Sequence, residues 1–126
     1  MTNRATAALI ADDDEGILWV LEKFFAEKKI PCVKATDGTK AAELLAENNI
    51  SIAVIDINMP GKDGLTVLKE SKEQKLRTSF VIMTAESTME NTIAAMKLGA
   101  FDYISKPFDL SELEIIVERA IEDIRL

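Results

Sequence analysis

Five short apolar runs, each followed by a stretch with helical spacing, most limit how this chain can fold. The runs are Ala7–Ala11, Ile30–Ala35, Ile52–Ile57, Phe80–Met83 and Phe101–Ile104. They are short and apolar, with turn or cap residues between them, and read as strands. Between them, apolar residues recur at intervals of three and four. Ile17, Val20, Leu21 and Phe24 mark a first helix, and Ala41, Leu44 and Leu45 a second. Leu65, Leu68 and Lys72 give a weaker third, and Ile93, Met96 and Lys97 a fourth. Leu113, Ile116, Val117, Ala120, Ile121 and Ile124 give a clear fifth. Caps support the boundaries: Ser87 with Glu90 reads as a capping box, Gly99 as a stop, and Asp109 with Glu112 as a start just after Pro107.

Strand–helix alternation of this kind implies an α/β domain whose parallel sheet is covered by helices on both faces. The first, third and fourth runs are almost wholly apolar, as doubly covered strands must be. Pro31 cannot donate to a ladder, which sends the second run to an edge. Asp102 and Ser105 send the fifth run to the other edge. The result is a flavodoxin-like, doubly wound, five-stranded sheet of order 2-1-3-4-5 with five helices, in which ligands bind beyond the carboxyl ends of the strands.

The distinctive polar residues fall at those carboxyl ends. Asp12 and Asp13 follow the first run with Asp14 behind them, Asp56 closes the third, Thr84 follows the fourth and Lys106-Pro107 the fifth. Clustered carboxylates repel unless a cation is present. The chain has no His, and hard oxygen donors alone select Mg²⁺, with Mn²⁺ as a substitute, rather than zinc. Asp56 is then a plausible nucleophile toward a phosphoryl group, with Lys106 and the Thr84 hydroxyl able to meet its oxygens and the small Ala85 leaving the approach open. Singly, each residue has a plain explanation. Acids favour a helix N-terminus, a strand-end Thr bonds to backbone, and a loop Lys is solvated. Asp63-Gly64 reads as a turn and helix start without chemistry. The argument lies in the shared rim.

Charge excludes other classes. A net charge of −7 with scattered Lys and Arg argues against direct nucleic-acid binding by this segment. The apolar stretch Ala5–Ala11 is too short for a signal peptide and runs into three aspartates, and no run approaches a membrane span. One cysteine, Cys32, cannot form an internal disulfide, and the expected compartment is the cytoplasm.

The motifs Leu9-Ile10-Ala11-Asp12-Asp13-Asp14, Asp56-Ile57-Asn58-Met59-Pro60-Gly61-Lys62-Asp63-Gly64, Val81-Ile82-Met83-Thr84-Ala85 and Ser105-Lys106-Pro107-Phe108 together resemble the receiver domain of two-component response regulators. The resemblance spans essentially the whole chain, so residues 1–126 are expected to form one receiver domain. It implies Asp56 as the phosphoacceptor, and Asp12, Asp13, Asp56 and the Asn58 backbone carbonyl as the Mg²⁺ ligands. It further implies Thr84 as the switch hydroxyl, Lys106 as the phosphoryl contact, Tyr103 as an aromatic that changes rotamer, and Pro107 as a cis-proline.

By the same resemblance a sensor histidine kinase is the phosphodonor, since this chain has no His of its own. The output is a domain or partner read through the helix 4–strand 5–helix 5 face, which could also form a homodimer. The segment from Gly99 to Asp109, with Trp19-Val20-Leu21-Glu22, is most similar to the nitrogen-regulator branch. Its members continue into a sigma-54-activating ATPase and a DNA-binding domain. Neither follows in this sequence, which reads as an excised receiver rather than a turnover enzyme. The alternatives are a pseudo-receiver that acts without phosphorylation and a small Mg²⁺ phosphatase. The phosphatase lacks a cap segment and has Asn58 where a second acid is expected. Flavin binding is disfavoured because three aspartates occupy the place of its phosphate loop.

Overall fold

Near-continuous apolar runs, buried on both faces, build the central strands of the computed structural model, which describes residues 7–85 and 89–125. The elements alternate: β1 (Ala8–Ala11), α1 (Glu15–Glu27), β2 (Cys32–Ala35), α2 (Gly38–Glu47), β3 (Ile52–Asp56), α3 (Gly64–Glu73), β4 (Ser79–Thr84), α4 (Met89–Lys97), β5 (Asp102–Ser105) and α5 (Leu110–Arg125). All four pairings are parallel and the strand order is β2-β1-β3-β4-β5. This is the doubly wound, flavodoxin-like order expected from the sequence.

The alternation sorts the core into two layers. Ala8, Ile10, Ile52, Val54, Val81 and Met83 face α1 and α5, meeting Leu18, Leu21, Phe25, Leu113 and Val117. Leu9, Ala11, Ala53, Ile55, Phe80 and Ile82 lie in the other layer with Ala41, Leu45, Val67, Leu68 and Ala95 of α2, α3 and α4. Phe25 and Phe80 are fully buried, one in each layer, and truncating either to Ala would cost about 3–5 kcal/mol.

Aspartate side chains cap the starts of α1, α2 and α3. Asp14 accepts the Gly16 and Ile17 N–H groups, Asp37 that of Lys40, and Asp63 that of Thr66. Just past the ends of α1, α3 and α4, Lys29, Lys75 and Gly99 adopt positive φ. At Gly99 (φ +97°) the following Ala100 N–H reaches back to the Ala95 carbonyl, which closes α4 where the sequence predicts a stop. The Asp109 carbonyl opens α5 by accepting the Glu112 and Leu113 N–H groups.

Several details differ from the sequence reading. Pro31 precedes β2 rather than lying within it, and its carbonyl accepts the Ala8 N–H at 2.9 Å, so the edge position needs no donor from it. Strand β5 starts at Asp102 and includes Ser105. In α3 the buried stripe is Val67, Leu68 and Ser71, while Lys72 is exposed. In α4 the apolar Ile93 and Met96 face outward with Lys97, because the helix seats on the sheet through the small Ala95. Ser87, half of the expected capping box with Glu90, lies outside the described residues. Among the described residues no helix is long and apolar enough to cross a membrane.

Candidate functional site

The period of two that buries Ala8 and Ile10 also sends Asp12 to the α1/α5 face, one residue past the end of β1. Asp56 shares the phase of Ile52 and Val54, and Lys106 that of Ile104. Three elements therefore bring two acids and one base to the same face of the sheet's carboxyl edge. Asp12 is fully buried and Asp56 nearly so. The Lys106 Nζ, itself mostly buried, donates to Asp12 Oδ2 at 2.9 Å and to Asp56 Oδ2 at 3.2 Å.

The remaining carboxylate oxygens face backbone. Asp12 Oδ1 accepts the Asp14 N–H at 2.9 Å, and Asp56 Oδ1 is 3.4 Å from the Asn58 nitrogen. Asp13 is exposed and completes a triad with Asp12 and Asp56 whose carboxylate oxygens lie within 4.8 Å of one another. Three carboxylates against one ammonium leave the site with excess negative charge, and every donor in the triad is a hard oxygen. Such a set suits a divalent cation of the Mg²⁺ class and not zinc.

The electrostatics follow from burial and pairing. Burial pushes the Asp12 carboxyl above its ordinary value; the bonds from Lys106 and the Asp14 N–H pull it back, the Asp56 charge adds to the rise, and the rise wins. For Lys106, burial pulls the ammonium down. The bonds and charges of Asp12 and Asp56 outweigh it and hold its proton more tightly than in water.

The other expected residues border this cluster. Thr84 is buried at the end of β4, and its carbonyl accepts the Lys106 N–H at 2.8 Å, tying the β5 exit to β4. Ala85 next to it is exposed. Tyr103 is 37 % exposed on the edge strand. The Lys106–Pro107 peptide bond is cis. An apolar hollow of about 360 Å³ opens beside Lys106, lined by Ile17, Val20, Pro107, Phe108 and Leu110. The sequence did not reveal this hollow, because α1 and the segment after β5 are about ninety residues apart in the chain. Asp14 and Asp63 serve as helix caps.

The response regulator receiver domain family matches residues 8–118. The DNA-binding transcriptional regulator NtrC of Escherichia coli K12 is 41% identical over 112 residues, covering 89% of this chain and 24% of that protein. The regulatory protein AtoC of the same organism is 39% identical, covering 90% of this chain and 25% of that protein. The chain thus spans about a quarter of the length of these relatives. The Francisella response regulator 1452 receiver domain superposes with a TM-score of 0.88 at 36% identity, covering 94% of this chain and 98% of that one. The nitrogen-regulator resemblance is met by the sequence relatives and the fold by the solved structure, and the chain belongs to the response regulator receiver domain family.

Proposed function

We propose that the chain is a phosphorylation switch in which Asp56 accepts a phosphoryl group from a phosphohistidine on a partner kinase. The observation that carries this is the Lys106 ammonium shared between Asp12 and Asp56 at the carboxyl ends of adjacent central strands. Asp12, Asp13, Asp56 and the Asn58 backbone carbonyl would hold Mg²⁺, which would supply the positive charge that lets an anionic donor approach a negative site.

In the reaction an Asp56 carboxylate oxygen forms the new bond to phosphorus while the phosphorus–nitrogen bond to the donor imidazole breaks. The imidazole leaves with that electron pair and is protonated from solvent. Lys106 exchanges its Asp56 oxygen for a phosphoryl oxygen and keeps Asp12 as its anchor. The Thr84 hydroxyl bonds a second phosphoryl oxygen, and Ala85 leaves the approach open.

The added charge and acceptor oxygens then bias a two-state face. Tyr103 turns inward from its half-exposed position, and the α4–β5–α5 surface is remodelled. Driving such a switch from mostly off to mostly on takes about 5.5 kcal/mol of differential interaction, within reach of a few charge-assisted bonds. Met89, Ile93 and Met96 expose an apolar strip on α4 that suits a protein partner, an output domain or a second copy. The hollow between α1 and the segment after β5 suits the kinase. NtrC is a DNA-binding transcriptional regulator, which supports transcription control as the output, and the unpaired Cys32 supports the cytoplasm as the site of action.

The test is labelling with acetyl phosphate. We expect Mg²⁺-dependent incorporation that hydroxylamine removes, the signature of an acyl phosphate, at one phosphoryl group per chain. Absence of label would leave a pseudo-receiver. Sustained turnover of a small phosphate ester would indicate a phosphatase.

A further inference from the structure

The connection between β2 and α2 carries none of the site residues named above, yet its flanking residues are bonded to both acidic loops. At its start the Ala35 carbonyl accepts the Asp12 N–H at 3.1 Å, and at its end the Gly38 N–H donates to the Pro60 carbonyl at 3.1 Å. Gly38 is the first residue of α2, so this N–H is one that a helix leaves without an internal partner. The approach is that close because Gly38 has no side chain. A Cβ there would fall against the Lys62 carbonyl oxygen, and 2.6 Å from the carbonyl carbon. A Cβ on Gly61, whose φ is +79°, would meet Thr39 Oγ1 at 2.8 Å.

On its other side the same loop is tied to α3. The Gly64 N–H donates to the Ile57 carbonyl at 2.9 Å, and Lys62 Nζ pairs with Glu70 at 2.7 Å. The loop from Ile57 to Asp63 is therefore gripped between the N-terminal turn of α2 and the start of α3, and Asn58 lies inside the gripped stretch.

We infer that Gly38 is a positioning residue for the metal site, fixing the Asn58 carbonyl relative to the carboxylates of Asp12 and Asp56. The inference rests on the Mg²⁺ reading above. A methyl group at Gly38 meets backbone rather than the end of a flexible side chain, so the loop itself must shift. Moving one oxygen out of a ligand set weakens metal binding roughly tenfold, the usual cost of losing an orienting contact.

The test is the Mg²⁺ dissociation constant, read by amide NMR titration, for the parent, Gly38→Ala and Val117→Ala. Val117 is a buried α5 residue in the other core layer, which contains no residue of the Ile57–Asp63 loop, so its truncation destabilises the domain away from that loop. We expect roughly tenfold weaker binding for Gly38→Ala, slower labelling by acetyl phosphate, and a parent-like constant for Val117→Ala. A folded Gly38→Ala with the parent's constant, or equal weakening in both variants, overturns the positioning role and leaves the site reading intact. A parent that binds no Mg²⁺ overturns both. Should Gly38→Ala fail to fold, Gly61→Ala is compared with Gly61→Ala/Thr39→Ala. Partial recovery of Mg²⁺ affinity in the double variant supports the α2 contact as the cause, and no recovery overturns it.

Discussion

The Lys106 ammonium lies 2.9 Å from a carboxylate oxygen of Asp12, a residue with no exposed surface, and this bond joins the chain after β5 to the end of β1. It ties the exit of the edge strand to the centre of the sheet. It also satisfies one buried acid while leaving the site short of positive charge. The responses expected to pH and to a divalent cation follow from that imbalance.

Burial raises the Asp12 carboxyl above its ordinary value of 3.8, so the folded state holds that proton more tightly than the unfolded chain does. Stability therefore falls as pH rises from 3.8 through the higher folded value, and the loss is complete above it. Asp12→Asn removes the charge and keeps an acceptor for Lys106. Without metal at pH 7, its urea midpoint should exceed that of the parent, and the two should converge as pH falls toward 3.8.

Lys106 answers the same excess of negative charge that a bound divalent cation would. Lys106→Met should cost the metal-free domain about 2 kcal/mol through lost charge-assisted bonds. Saturating Mg²⁺, worth about 2.7 kcal/mol at a hundredfold excess over its dissociation constant, should then stabilise the variant more than the parent. Thermal midpoints with and without Mg²⁺ measure both increments. Equal increments would mean that the lysine and the cation do not share the site.

Ser71 is buried in α3, and its hydroxyl is a buried side-chain group without a hydrogen-bond partner among the described residues. Its desolvation is uncompensated. Ser71→Ala should stabilise the domain by about 1 kcal/mol, a rise of roughly 4 °C in Tm. A lower Tm would show that the hydroxyl has a partner.

What the sequence made legible followed from chemistry that a single residue reports. Pro31 and Asp102 marked the edges, the apolar runs marked the centre, and the rim position of Asp12, Asp56 and Lys106 followed from the strand order. What stayed hidden depended on contacts between distant segments. The outward turn of Ile93 and Met96 follows from Ala95 being the small residue that fits the sheet. Spacing alone favours the larger side chains. The Gly38–Lys62 approach is backbone against backbone across more than twenty residues, and only a glycine at a helix start hints at it. Likewise, the hollow beside Lys106 exists only once α1 and the cis Lys106–Pro107 segment lie side by side.

The central claim concerns Asp56, and intact-protein mass spectrometry after incubation with acetyl phosphate and Mg²⁺ addresses it most directly. The account predicts a gain of one phosphoryl group in the parent and none in Asp56→Asn. No gain in the parent, or a gain that persists in Asp56→Asn, would contradict it.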